Sequence, residues 1–204
     1  MAATASYASV DEYRAAAGKD ELESDEAIEQ ILDGISRWID RRTDRFFGQE
    51  GSVASPVTRS YVAEAPRRLV IDDLVSVSAI RITDPSAVTT PVYTLAAADY
   101  LLWPLNAPLG SEPAPYREIR VPSTSTFTAF VAGTLVEIDG VWGWPAVPSA
   151  VSQATIELAR IWRIESPRAT VQVDSMGTSL GMSQEARKIV ASLADSYRRR
   201  WFVV

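Results

Sequence analysis

The hydrophobic period of this 204-residue chain changes twice along its length. Residues up to about 50 and from about 145 onward repeat apolar side chains at helical spacing, while the stretch between them alternates in short runs. An amphipathic helix and a half-buried strand need different periods, so one pattern cannot serve as the other. The chain is therefore expected to fold as α+β, a helical body with a β-rich insertion in its middle.

The N-terminal helices carry their own start signals. Ser9 with Glu12 three residues later forms a capping box for a short helix that stops near Gly18. Ser24 caps a longer helix, with Asp25 and Glu26 suited to the positive end of its dipole. Ile28, Ile31, Leu32, Ile35, Trp38, Ile39 and Phe46 define its apolar face, and Arg37, Arg41, Arg42 and Arg45 lie on the other. From Pro56 to Trp142, runs rich in Val, Ile, Thr and Tyr read as strands: 57–63, 68–71, 74–82, 91–95, 99–103, 117–121, 126–131 and 134–142. Asp84-Pro85 and Ala132-Gly133 mark turns, and the four prolines of 104–116 mark a loop. After Pro148 a helix returns, with Val147, Val151, Ala154, Leu158, Ile161 and Trp162 on one stripe and Pro167 closing it. Residues 168–182 read as a linker. Ser183 caps a last helix with Ala186, Ile189, Val190, Leu193 and Tyr197 inward, followed by Arg198-Arg199-Arg200 and Trp201-Phe202-Val203-Val204. The expected organisation is 1–50, 51–144, 145–182 and 183–204, as one structural unit.

Composition narrows the chemistry. The chain has no histidine and no cysteine, which removes the Ser-His-Asp triad, His-based metal sites, thiol chemistry and disulfides. Its net charge of −6 argues against general affinity for nucleic acid. It is 47% hydrophobic, enough to bury a core. No signal peptide or membrane-spanning run is visible, so a soluble protein, intracellular at synthesis, is expected.

Few residues suggest a site. Asp72-Asp73 reads as a turn between strands 68–71 and 74–82 rather than a pair of metal ligands. Residues 175–183 resemble a phosphate loop only superficially, lacking the Gly-Lys-Ser/Thr ending. The arginines of the long helix read as a solvated face or a subunit contact, with Asp40 paired to Arg37 and Arg41. Arg198, Arg199, Arg200, Trp201, Phe202, Val203 and Val204 combine residue types favoured at interfaces, and either bind a partner or pack on the protein's own body. Trp142, Gly143, Trp144 and Pro148 read as a structural corner. Gly143 permits a sharp turn, the two tryptophans pack the insertion against the helical body through rings whose N–H groups seek acceptors, and Pro148 opens the helix.

The order of three segments, 69–80, 99–121 and 136–162, resembles the head–tail connector (adaptor, or head-completion) family of long-tailed bacteriophages. The most specific element is a strand ending in Gly140, Trp142, Gly143 and Trp144, then Pro148 and an Ala-rich helix with Gln153 and Ala154. Tyr100, Leu102, Pro104, Asn106 and Pro115-Tyr116 add to it. The likeness covers about residues 20–200. It implies a non-enzymatic virion protein without cofactor or metal, forming a ring, usually of twelve subunits, beneath the portal protein. Such a ring extends the DNA channel without sequence-specific binding, meets a downstream neck or tail protein, and touches no membrane. The C-terminal segment, 183–204, is the expected portal contact. Two other readings stay open: a head-closure or tail-terminator protein, expected to be mainly β, and a carboxylate-dependent enzyme or ligand-binding module using Asp72, Asp73, Glu137 and Asp139.

Overall fold

A computed structural model describes residues 6–17, 24–83, 93–165 and 184–198. Among these residues the fold is α+β, with four α-helices and one antiparallel sheet. The chain gathers into two compact units: residues 1–47 with 147–204, and residues 48–146.

The helical unit holds α1 (Val10–Ala17), α2 (Asp25–Thr43), α3 (Ser149–Glu165) and α4 (Gln184–Tyr197). Both N-terminal caps form as their residues dictate. The Glu12 carboxylate accepts from the Ser9 N–H at 2.7 Å while the Glu12 N–H donates to Ser9 Oγ at 3.2 Å, satisfying donors that the first turn leaves orphaned. Ser24 is extended and its hydroxyl accepts from Ala27 N–H. α2 ends earlier than its apolar spacing suggests. Asp44 adopts the left-handed conformation, φ 54°, and terminates the helix before Phe46. Ile28, Leu32 and Ile39 of α2 are buried, and Ile28 and Leu32 share a core with Ala8, Tyr13 and Ala159. Val151, Ala154 and Leu158 of α3 are buried as the stripe requires, and Trp162 is half-buried. On α4, Leu193 is buried and Tyr197 half-buried.

Tyr7 ties this unit together. Its N–H donates to Ser36 Oγ at 2.9 Å, its hydroxyl donates to Asp40, and that same oxygen accepts the Phe47 N–H at 2.9 Å. Phe47, fully buried, meets Tyr7 and Tyr197 edge-on. Arg45 donates through Nε to the Tyr197 carbonyl, fastening the end of α4 to the segment after α2. Burial pushes the Asp40 carboxyl up to about 6, against the opposing pull of the Tyr7 hydroxyl and Arg37. The same burial, with Asp40 beside it, raises the Tyr7 phenol.

The sheet unit holds β1 (Gln49–Glu50), β2 (Val57–Val62), β3 (Arg68–Thr83), β4 (Tyr93–Thr94), β5 (Leu101–Trp103), β6 (Tyr116–Arg120) and β7 (Leu135–Gly143). The strand order is β1-β7-β3-β6-β5, with β2 also on β7 and β4 also on β3. β7 shows the alternation that places it: Val136, Ile138 and Trp142 are buried in the sheet core, and Glu137 and Asp139 point the other way. Ile71, Leu74, Ile80 and Ile119 complete that core.

Two expectations change here. Residues 68–71 and 74–82 are not separate strands joined at Asp72-Asp73. They form one 16-residue strand, β3. The register against β6 shifts between Val70 and Leu74, so the two aspartates occupy an irregularity within the strand. Residues 126–131 form no strand. Ser125 and Thr126 turn their hydroxyls onto Asp99 at 2.9 and 2.8 Å, and Phe127 packs on Tyr93 and Phe130 instead of extending a ladder. Asp99 is buried and accepts also from Ala96 N–H and Tyr93 Oη. The Thr126 and Ser125 hydroxyls hold its carboxyl down to about 2. Residues 84–85, 166–183 and 199–204 lie outside the described residues.

Two outcomes are expected. Asp40 has a folded pKa above its unfolded value. Its stabilising contribution is complete below about pH 4 and lost as the pH rises through 6, on the order of 3 kcal/mol before solvent screening reduces it. Amide exchange in α2, corrected for intrinsic rates, should show tighter protection at pH 4 than at pH 7, and Asp40→Asn should flatten that difference. Gly140 lies where β7 crosses the bulged part of β3, and a Cβ there would sit 2.4 Å from the Ser76 carbonyl oxygen. Gly140→Ala should lower the urea midpoint of the sheet unit, by about 1–3 kcal/mol or more in stability; an unchanged midpoint would show that β3 yields freely.

Candidate functional site

The corner predicted at the end of β7 is built from inside the sheet unit. Trp142 is fully buried and pairs through its backbone with Glu50 on one side and Leu74 on the other. Its ring N–H donates to the Val57 carbonyl at 2.8 Å. The Arg59 guanidinium lies 4.7 Å from the ring centroid and Tyr61 packs at 5.8 Å. An aromatic face and a cation at this range attract through the ring quadrupole. Gly143 has φ 104°, a conformation that side chains resist. After it, Trp144 donates its ring N–H to Asp73 at 3.1 Å and its backbone N–H to the Gly48 carbonyl at 3.0 Å. Pro148, in the helical unit, accepts from Val151 and Ser152 N–H groups and so begins α3. Trp142 thus belongs to the sheet's own core, and both indole N–H groups have acceptors.

Each carboxylate considered as a catalytic or metal ligand already has a cationic or hydrogen-bonding partner. Asp72 accepts from Arg59 at 2.7 Å and from the Tyr61 hydroxyl at 3.0 Å, and Arg59 reaches on to Glu50 at 2.6 Å. Asp73 is buried against the Trp144 ring. Asp139 is clasped by Arg81 and accepts from Thr58 Oγ1 at 2.6 Å, while Glu137 stands 3.7 Å from Arg81. The Arg81 hydrogen bonds hold the Asp139 carboxyl below its ordinary range. Thr58 and Arg59 are adjacent on a strand, so the Asp139 and Asp72 clusters fall on opposite faces of the sheet. Among the described residues no group of three or more acidic side chains is placed to hold a metal.

The chain shares its fold with a protein of a gene transfer agent neck. The match is to a chain in the neck of an empty gene transfer agent particle computed with C6 symmetry, with a TM-score of 0.55 and 21% identity over 96% of this chain and 91% of that one. A chain in the virion of a native gene transfer agent particle matches at a TM-score of 0.51 and 22% identity, with the same coverage. No family model and no curated protein matches.

The remaining predicted contacts are distributed differently. Arg198 follows α4 directly and is exposed. Arg199, Arg200 and Trp201–Val204 lie outside the described residues, as does the 175–183 segment. Gln153 is exposed on α3 and lines a shallow groove with Glu12, Ser149, Ser152 and Glu157. Glu12 there serves the α1 cap and Glu157 pairs with Arg160 at 3.1 Å. Sequence reading missed the Arg59–Trp142–Tyr61–Asp72 cluster. The period-two spacing of Arg59 and Tyr61 was its one available signal. No described helix is long and apolar enough to cross a membrane.

Trp142→Ala should cost the sheet unit about 3–5 kcal/mol, because a fully buried ring leaves both a cavity and an orphaned carbonyl. Trp144→Phe keeps an aromatic ring but loses the indole's second ring and its N–H bond to Asp73, and should cost about 1–3 kcal/mol. Denaturant titration of each variant checks both. A loss under 1 kcal/mol for Trp142→Ala would mean the core re-closes without it.

Proposed function

We propose that this chain is a structural, non-enzymatic component of a phage-like neck: a connector, or adaptor, that assembles as a ring beneath the portal and joins the capsid to the tail. The observation that carries this reading is the fold shared over nearly the whole chain with a neck protein of a gene transfer agent particle. The order of the sequence segments that end in the Trp142–Trp144 corner supports the adaptor role specifically. The ring is expected to contain twelve copies, with the portal on one side and a downstream neck or tail protein on the other. Its net charge of −6 suits a channel wall that DNA passes without being gripped. The carboxylates an enzyme would need are tied to arginines and indoles on opposite sheet faces. Helices at both ends of the chain fit the adaptor better than a mainly β head-closure or tail-terminator protein.

We assign portal contact to 183–204, with Arg198, Arg199, Arg200, Trp201, Phe202, Val203 and Val204 as its anchors. Electron microscopy of this protein mixed with the portal from the same genome should show a ring stacked on the portal. Deleting 198–204 should abolish that stacking while circular dichroism stays unchanged. A truncated protein that still docks would remove the tail from the interface. No ring with or without portal would overturn the connector reading itself.

A further inference from the structure

The exposed surface of α2 carries a charge pattern that its own packing does not use. With Ile28, Leu32, Ser36, Ile39 and Thr43 buried, the far side of the helix presents Glu26, Asp33 and Arg41, spread over an arc of roughly 80° at 3.6 residues per turn, with half-buried Arg37 between them folded over Tyr7 and Phe46. Glu29 and Arg42 are exposed on its flanks. Every charged residue before Gly34 is acidic, and beyond it Arg37, Arg41 and Arg42 leave Asp40 as the single acid.

Part of this pattern is accounted for locally. Arg14 holds Asp25 at 2.6 Å, and Arg37 reaches Asp33 at 3.6 Å and Asp40 at 3.1 Å. The helix dipole favours Glu26 in the first turn and Arg41 and Arg42 in the last, but supplies none of them with a partner, and Glu29 lies beyond the first turn. Glu26 and Glu29 at one end, and Arg41 and Arg42 at the other, form no ion pair among the described residues. They cannot neutralise each other within one molecule. Glu26 and Arg41 are separated by roughly 22 Å along the axis at 1.5 Å per residue. A second copy of the same helix offers each half the charge it lacks.

We infer that the exposed face of α2 is a seam between copies of this chain, with Glu26 and Glu29 of one copy lying against Arg41 and Arg42 of the next. This rests on the ring reading above and gives it a contact. The contact is heterologous, because the two halves of the helix are different surfaces, and repeated heterologous contacts close into rings. Charges at such a seam set register and partner choice more than bulk affinity, and salt weakens them.

Charge reversal tests it on the full chain, with self-association followed by native mass spectrometry and electron microscopy at low and high salt. Glu26→Arg with Glu29→Arg, and separately Arg41→Glu with Arg42→Glu, should each weaken assembly by roughly tenfold or more, since like charges then face each other. Circular dichroism and a thermal melt establish that each variant is folded. The neutral pair Arg41→Gln with Arg42→Gln should give a smaller loss and guards against a folding defect in the reversed pair. Mixing the two reversed variants should restore assembly, as should combining all four reversals in one chain. Rings that form from each reversed variant as readily as from the unaltered chain would overturn the seam and leave the ring reading standing. Rescue that stops at two copies would support the seam and overturn the ring. Reversed variants that fail alone and are not rescued by mixing would also overturn the seam, and an unaltered chain that stays monomeric at every concentration and salt would overturn both.

Discussion

The sheet unit depends on how closely β7 and β3 approach at Gly140. The Ser76 carbonyl occupies the space where a side chain would begin, and the register slips on both sides of that point. Such slips bend a strand and raise its twist. The bend lets a single 16-residue strand pair with β7 along one part and with β6 along another. Trp142 fills the core beside it, its ring N–H fixed on β2 and its face covered by Arg59. One small residue, a bulged partner and one large ring thus act as a set. In the helical unit Tyr7 has the comparable place, with its backbone and hydroxyl bonded to three separated positions.

Charge is handled in both units by local pairing. On β7 the outward residues Glu137, directly opposite Arg81, and Asp139, diagonal to it, both meet its guanidinium. Glu118 takes Arg68 and Arg120, and Trp103 lies under the Arg120 guanidinium at 3.9 Å. Exposed pairs of this kind contribute little each, yet Glu118 lies between Arg68 and Arg120, which face each other across the β3–β6 ladder, and offsets their repulsion. On α2 the pairing is confined to the middle, where Arg37 reaches Asp33 and Asp40, while Glu26 and Glu29 lie too far along the axis from Arg41 and Arg42 to meet them.

The period of the sequence made most of this legible. The helix caps at Ser9 and Ser24, the buried faces of α2 and α3, and the alternation of β7 all follow from spacing that local geometry enforces. What escaped depends on distant partners. Asp72-Asp73 carries a turn signature, yet Arg59, Tyr61 and Trp144, on other strands and at the chain's return after β7, give both aspartates partners within a strand. Residues 126–131 alternate like a strand, but the need of buried Asp99 for hydroxyl donors folds them into a loop. The turn after Trp142 could be read from Gly143 itself, whereas the burial of Trp142 within the sheet could not, since an indole at a strand end suits a joint as well as a core.

The sheet unit begins and ends at one place. Gln49 pairs with Gly143, and the Gly48 carbonyl accepts from Trp144 N–H, so the chain leaves and returns one hydrogen bond apart. A domain whose two ends touch is a cassette: it can be lengthened, replaced or deleted during descent without altering the distance that the flanking helices must bridge. Chains that keep the same helices can in this way carry quite different β surfaces, with Gly143 and the pair of strands at its root as the socket.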